Sequence, residues 1–303
     1  RVDGPTVLAL TRQNVLNLDV PAGAVARGGY VLADSGPGGS DTAPEVILIA
    51  TGSEVALCLE ARDTLQEQGV ATRVVSLPSF ELFEAQDPAY RESVLPAGVT
   101  ARVSGITVQG PFGTAGGGGT GCQMMGVRVK DGVLYMSDSE VVGARQEPFS
   151  GNQCGTGIQV GRDLDSHAGT AYLTDVDVRD FQKTGIFVDG VGSTLHMSGG
   201  TVSGHGDTTV TAQNGIQVSR GASAFIDGVT VHGANYGPES WGASGLLLYL
   251  SSAVEVRNST FFDNDVNVYI TPDSQAPVLR GNRFDGADDA DVVVMIPDAI
   301  DLT

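Results

Sequence analysis

Long apolar runs are missing from this sequence. Nowhere do about 18 apolar residues stand together, which excludes a membrane-spanning helix. Basic residues are scarce as well: 17 Lys and Arg face 36 Asp and Glu, for a net charge of -19 and a pI near 4.3. A field of that sign repels phosphate backbones and anionic bilayers, so nucleic acid is not a partner to expect. The three cysteines, Cys58, Cys122 and Cys154, cannot all pair within one chain, and none stands in the C-x-x-C spacing of a zinc or dithiol site. No charged-then-apolar leader follows Arg1, so the reading expects a soluble chain whose true start lies upstream. Aromatics are only 6% while glycine reaches 42 of 303 residues, a balance that favours turns and close-packed strands over a helical bundle.

With 41% hydrophobic residues the chain can bury a substantial core, and its first hundred residues show how. "VILIA" at 46–50 is a short β-branched run of the kind buried on both faces of a parallel sheet. The helix after it should open at Thr51 and Glu54, which have capping-box spacing, and stop at Gly69. It carries Val55, Cys58, Leu59 and Leu65 on one face, where Cys58 reads as a small buried hydrophobe. "ATRVVSLPS" at 71–79 supplies a second strand and completes a βαβ unit. Short helices then divide around Pro88, which a first helical turn accepts.

"GPTVLALTRQN" at 4–14, "GGYVLADS" at 28–35, "ILIATGSEV" at 47–55, "TRVVSLPSFELFEAQD" at 72–87 and "YRESVLPAGVTARV" at 90–103 resemble transketolase, in order and at matching spacing. The resemblance spans the end of the pyrimidine-binding domain and the start of the C-terminal domain. It implies that Arg12 would contact a sugar phosphate, a task suited to a planar guanidinium. The regions that hold thiamine diphosphate and Mg²⁺ in an intact transketolase have no counterpart here, so neither cofactor is expected in this chain and ketol transfer lacks its electron sink.

From about residue 103 the chain repeats. Gly126, Gly157, Gly185, Gly215 and Gly245 each open a Gly-apolar-x-apolar unit, at intervals of about 30 residues. A second motif follows each: "LYMSDSEVVG", "AYLTDVDVRD", "LHMSGGTVSG", "AFIDGVTVHG" and "VEVRNSTFFD". Two strands and a tight turn per unit are expected, with Asp138, Asp175, Gly199-Gly200, Gly228 and Asn258 at bends that need positive φ. Stacked about 4.8 Å apart, such coils cover one another's apolar faces. On the same spacing Cys122 and Cys154 fall near one another on adjacent coils, where a disulfide is possible. The pattern resembles the right-handed parallel β-helix of the pectate-lyase-like superfamily. The predicted architecture is therefore mixed: a truncated α/β unit over 1–102, then an all-β helix over 103–303.

Candidate sites in the β-helix are sparse. "SGHGDT" holds His205 and Asp207, and Gly-His-Gly resembles an element of polygalacturonases. The paired aspartates that glycosidic hydrolysis needs are absent beside it, so the catalytic set is incomplete. Asp163 and Asp165, and Asp288 and Asp289, are hard-oxygen clusters of the type that holds Ca²⁺, against the plainer reading of solvated turns. Tyr236 and Trp241 share a long loop and offer flat surfaces for sugar stacking. Gly116-x-Gly118-x-x-Gly121 lacks the helix that a dinucleotide fingerprint requires.

Taken together, these features predict a hybrid chain without a complete active site. Its β-helix serves as a recognition or structural module, for carbohydrate or cell-envelope surfaces. Two alternatives stay open: a polysaccharide-acting lyase or hydrolase, and a non-catalytic fragment of a thiamine-diphosphate enzyme. The first resemblance implies a cytoplasmic setting and the second a secreted or cell-envelope one.

Overall fold

The computed structural model describes residues 15, 17–34, 43–96, 101–114, 124–238 and 242–297. Two compact units divide between Ala101 and Arg102.

In the first unit, β1 (Tyr30–Ala33), β2 (Val46–Ala50) and β3 (Thr72–Ser76) form a sheet in the order β1-β3-β2. β2 and β3 run parallel, joined by helix α1 (Glu54–Glu67), which is the βαβ unit read from the sequence. Gly69, at φ 84°, ends the helix as expected. Its start differs. The N-cap is Ser53, whose hydroxyl bonds the Glu54 carboxylate at 2.9 Å instead of a backbone N–H, and Thr51 lies outside the helix. β2 also departs from the expectation of burial on both faces: among the described residues it lies at the edge of the sheet with no second strand beside it, and Ile49 is 47% exposed. Val75, Leu77, Phe83 and Val94 make the small core. Asp87 caps the last helix (Pro88–Val94) by accepting from Tyr90 N–H at 2.9 Å, with Pro88 in its first turn. Cys58 is a free thiol, partly buried; burial first, and the Glu54 charge second, push its pKa up.

The second unit is a coil of parallel strands. Among the described residues its first sheet has seven: 125–129, 156–160, 184–189, 214–219, 244–249, 266–270 and 290–294. Ile158, Ile186, Ile216, Leu246 and Val268 stack in register along it. In the later repeats the second motif makes two strands where one was expected, as at 194–198 and 201–206, because the chain turns within it. Asp138, Asp175, Gly199, Gly200, Gly228 and Asn258 all have positive φ, as the turn composition predicts, and these later coils have three strands. Strands 133–142 and 170–179 run through the bend and join the second and third sheets into one twelve-stranded assembly. Inside, Leu173, Val178, Phe181, Leu195, Val202, Val231 and Phe261 belong to one continuous core and are almost wholly buried. Cys154 is disulfide-bonded; Cys122 and the segment Gly116–Gly121 lie outside the described residues.

Candidate functional site

Four residues singled out in the sequence come together where the third sheet hands the chain back to the first. Asp207 follows strand 201–206, Tyr236 follows strand 230–234, and Asp288 and Asp289 precede strand 290–294. With Asn235 and Asp265 they line one cleft of about 340 Å³. Coil stacking explains the convergence, since residues roughly one repeat apart occupy neighbouring turns. Backbone bonds fix the turns: Asp288 N–H donates to Asn264 O at 3.0 Å, Asp289 N–H to Asp265 O at 2.8 Å and Gly237 N–H to Thr208 O at 2.8 Å.

Asp265 is the brace of this cleft and went unnoticed in the sequence. Its carboxylate accepts from the backbone N–H groups of Tyr236, at 3.1 Å, and Ala243, at 2.8 Å, holding the two ends of the intervening loop. Only 6% of Asp265 is exposed. Burial raises its pKa above the ordinary carboxylate value, the two N–H bonds oppose that, and the charges of Asp289 and Asp288 add to the rise. The folded chain thus binds this proton more tightly than the unfolded chain, so this group's contribution to stability falls as pH rises through the interval between the two pKa values. Asn235 adds an amide whose Nδ2 donates to Asp207 at 3.5 Å, while its buried Oδ1 has no hydrogen-bond partner among the described residues.

His205 does not join Asp207. Gly206, at φ 81°, turns the chain between them. The His205 ring stacks on Phe149 at 4.6 Å, and its Nδ1 lies 2.8 Å from Asp180, which also holds Arg145 Nε at 2.8 Å. This is an ion-paired surface cluster apart from the cleft. Asp165 accepts from Arg162 at 2.7 Å and Arg128 at 3.1 Å, and these hydrogen bonds, Arg162 first, lower its pKa. Asp163 lies 3.7 Å from Arg220. The "GRDLDSH" carboxylates are therefore answered by arginine. Among the described residues, no group of three His, Cys, Asp or Glu is placed to hold a metal ion. Arg12 and Trp241 lie outside the described residues.

A second feature was also missed. Tyr135, Tyr172, His196 and Phe225 stack face to face up the outside of the second sheet at 4.5, 4.5 and 5.0 Å, with the Arg102 guanidinium 4.2 Å above the Tyr135 ring. The signal was present, because each is the second residue of "LYMSDS", "AYLTDV", "LHMSGG" and "AFIDGV". Their faces are spent on one another, so the ladder shows ring edges to solvent and works as a staple between coils rather than as a sugar platform.

Two kinds of protein thus meet in one chain, an α/β unit and a β-helix. Residues 28–117 match the transketolase-like C-terminal domain, and residues 156–296 match the right-handed β-helix region. Transketolase 1 of Pasteurella multocida is 50% identical over 107 residues, which cover 34% of this chain and 16% of that protein. Transketolase 2 of Escherichia coli is 51% identical over 107 residues, covering 34% and 15%. A solved transketolase from Leishmania mexicana shares 37% identity over 30% of this chain and 13% of its own, with a TM-score of 0.27. The chain spans about one-sixth of the length of the curated relatives it matches.

Proposed function

We propose that the β-helix is a carbohydrate-recognition module and that the cleft around Tyr236 is its binding site. The observation that supports this reading is the meeting of one aromatic ring with four carboxylates and an amide, drawn from separate coils into one concave surface. Sugar hydroxyls donate to carboxylates and the apolar face of a pyranose packs on a tyrosine ring, so the lining matches the two sides of a saccharide. Glycan-array binding by the full chain tests the proposal. Tyr236→Ala should weaken every positive signal about tenfold, equivalent to 1.4 kcal/mol. Unchanged binding would move the site elsewhere.

The raised pKa of Asp265 favours a second reading, hydrolysis at the same cleft. Glycoside hydrolysis needs one carboxyl as general acid and a second as base, and this cleft brings Asp265 and Asp289 together. Release of reducing ends from a bound glycan, abolished by Asp265→Asn, would establish that reading over pure recognition.

A further inference from the structure

Tyr236 borders a second cavity of about 350 Å³, lined also by Gln153, Lys183 and Thr211. Lys183 stands at the entry to strand 184–189 and turns its Nζ to the Ala212 carbonyl at 2.7 Å. Burial alone lowers its pKa, with no neighbouring carboxylate contributing. A desolvated ammonium with only a carbonyl for company is incompletely compensated, and an entering anion would restore its countercharge.

The other side of Tyr236 has the opposite need. Asp207, Asp265, Asp288 and Asp289 concentrate negative charge there, and the Asn235 Oδ1, on a residue only 4% exposed, lacks a donor among the described residues. No three of the described carboxylates close around a point as a metal ion requires. A group that carries its positive charge with three separate N–H donors has no such demand.

We propose that the cleft and the cavity are paired subsites of opposite charge for a zwitterionic saccharide, its carboxylate on Lys183 and its ammonium among the four aspartates, with Tyr236 between. This rests on the carbohydrate reading and narrows it to glycans that join an uronic acid to an amino sugar with a free amine. Such a ligand has no net charge, so the chain's charge of -19 does not repel it as it would a polyuronate.

Calorimetric titration of the full chain decides it with three probes: a glucuronic acid–glucosamine disaccharide, its N-acetylated form, and neutral cellobiose. The free-amine disaccharide should bind about tenfold more tightly than either of the others. Lys183→Met, which keeps the aliphatic stem, should weaken both glucuronic acid disaccharides while the free amine keeps its preference over the N-acetylated form, whereas Lys183→Arg should preserve most of the affinity. An unchanged melting temperature shows that the variants remain folded; if Lys183→Met is destabilised, the ranking of the probes on the unaltered chain decides alone. Equal affinity for all three probes overturns the paired subsites while the carbohydrate reading stands. Absence of binding to every probe and to the glycan array overturns both.

Discussion

Gly185→Ala should lower the melting temperature of the β-helix by roughly 6–12 °C. A Cβ at this position would lie 2.6 Å from the carbonyl oxygen of Gly215 on the next coil, 2.6 Å from Val202 Cγ1 and 2.8 Å from Phe181 Cε1. Side chains can yield, but a carbonyl locked in the sheet cannot. Gly157 and Gly215 stand in the same relation to the carbonyls of Gly185 and Gly245, each at 2.6 Å, so the glycine column is a line of close backbone approaches running up the stack. Making room means separating two coils, an overpacking cost of about 3 kcal/mol. Gly132→Ala is the control: its nearest neighbour is the Lys130 carbonyl at 3.7 Å, and the substitution should be neutral or slightly stabilising. Circular dichroism melts of both variants test the pair. A shift below about 2 °C for Gly185→Ala would mean that the coils are looser than their register implies.

That column shows what kind of information a repeat sequence carries. Gly126, Gly157, Gly185, Gly215 and Gly245 were visible because a steric requirement recurs in every coil and is written each time with the same letter. The bends at Asp138, Asp175 and Asn258 were visible for a similar reason, since few residues tolerate positive φ. The third strand of the later coils stayed hidden, because the same motif runs unbroken through its bend in strands 133–142 and 170–179 and divides only from 194–198 onward. The cleft was half legible. Asp207, Tyr236, Asp288 and Asp289 were each noticed, but nothing in their spacing said that they meet, because the turns that return the chain to the first sheet vary in length. Asp265 was missed outright: one acidic letter before a strand reveals neither that it is buried nor that it clamps two backbone amides. The edge position of β2 among the described strands was equally invisible, since "VILIA" reads alike at the centre and at the edge of a sheet.

Asn264→Leu should cost more than the glycine substitution, about 3–5 kcal/mol, because it strikes a wholly buried amide whose four contacts hold two coils together. Asn264 has 0% exposure. Its Oδ1 accepts from Ala234 N–H at 3.0 Å, and its Nδ2 reaches Asn267 Oδ1 at 2.9 Å, Phe262 O at 3.0 Å and Val231 O at 3.3 Å. Gln182 and Gln213 serve the same purpose at earlier turns, Gln182 accepting from Gln146 N–H at 3.0 Å and Gln213 from His205 N–H at 2.9 Å. Leucine shares asparagine's branched outline but is bulkier and satisfies none of these groups, and the Ala234 amide has no route to water from that position. Asn264→Asp separates packing from polarity. It keeps an acceptor for Ala234 but sets a carboxylate against the oxygens of Asn267, Phe262 and Val231, so it should be at least as damaging at neutral pH and partly relieved in acid, where a protonated carboxyl can donate again. Denaturant unfolding of both variants at pH 4 and pH 7 reads the difference. If leucine were tolerated within about 1 kcal/mol, the turn would be held by apolar packing alone, and the amide bonds would be incidental to the coil.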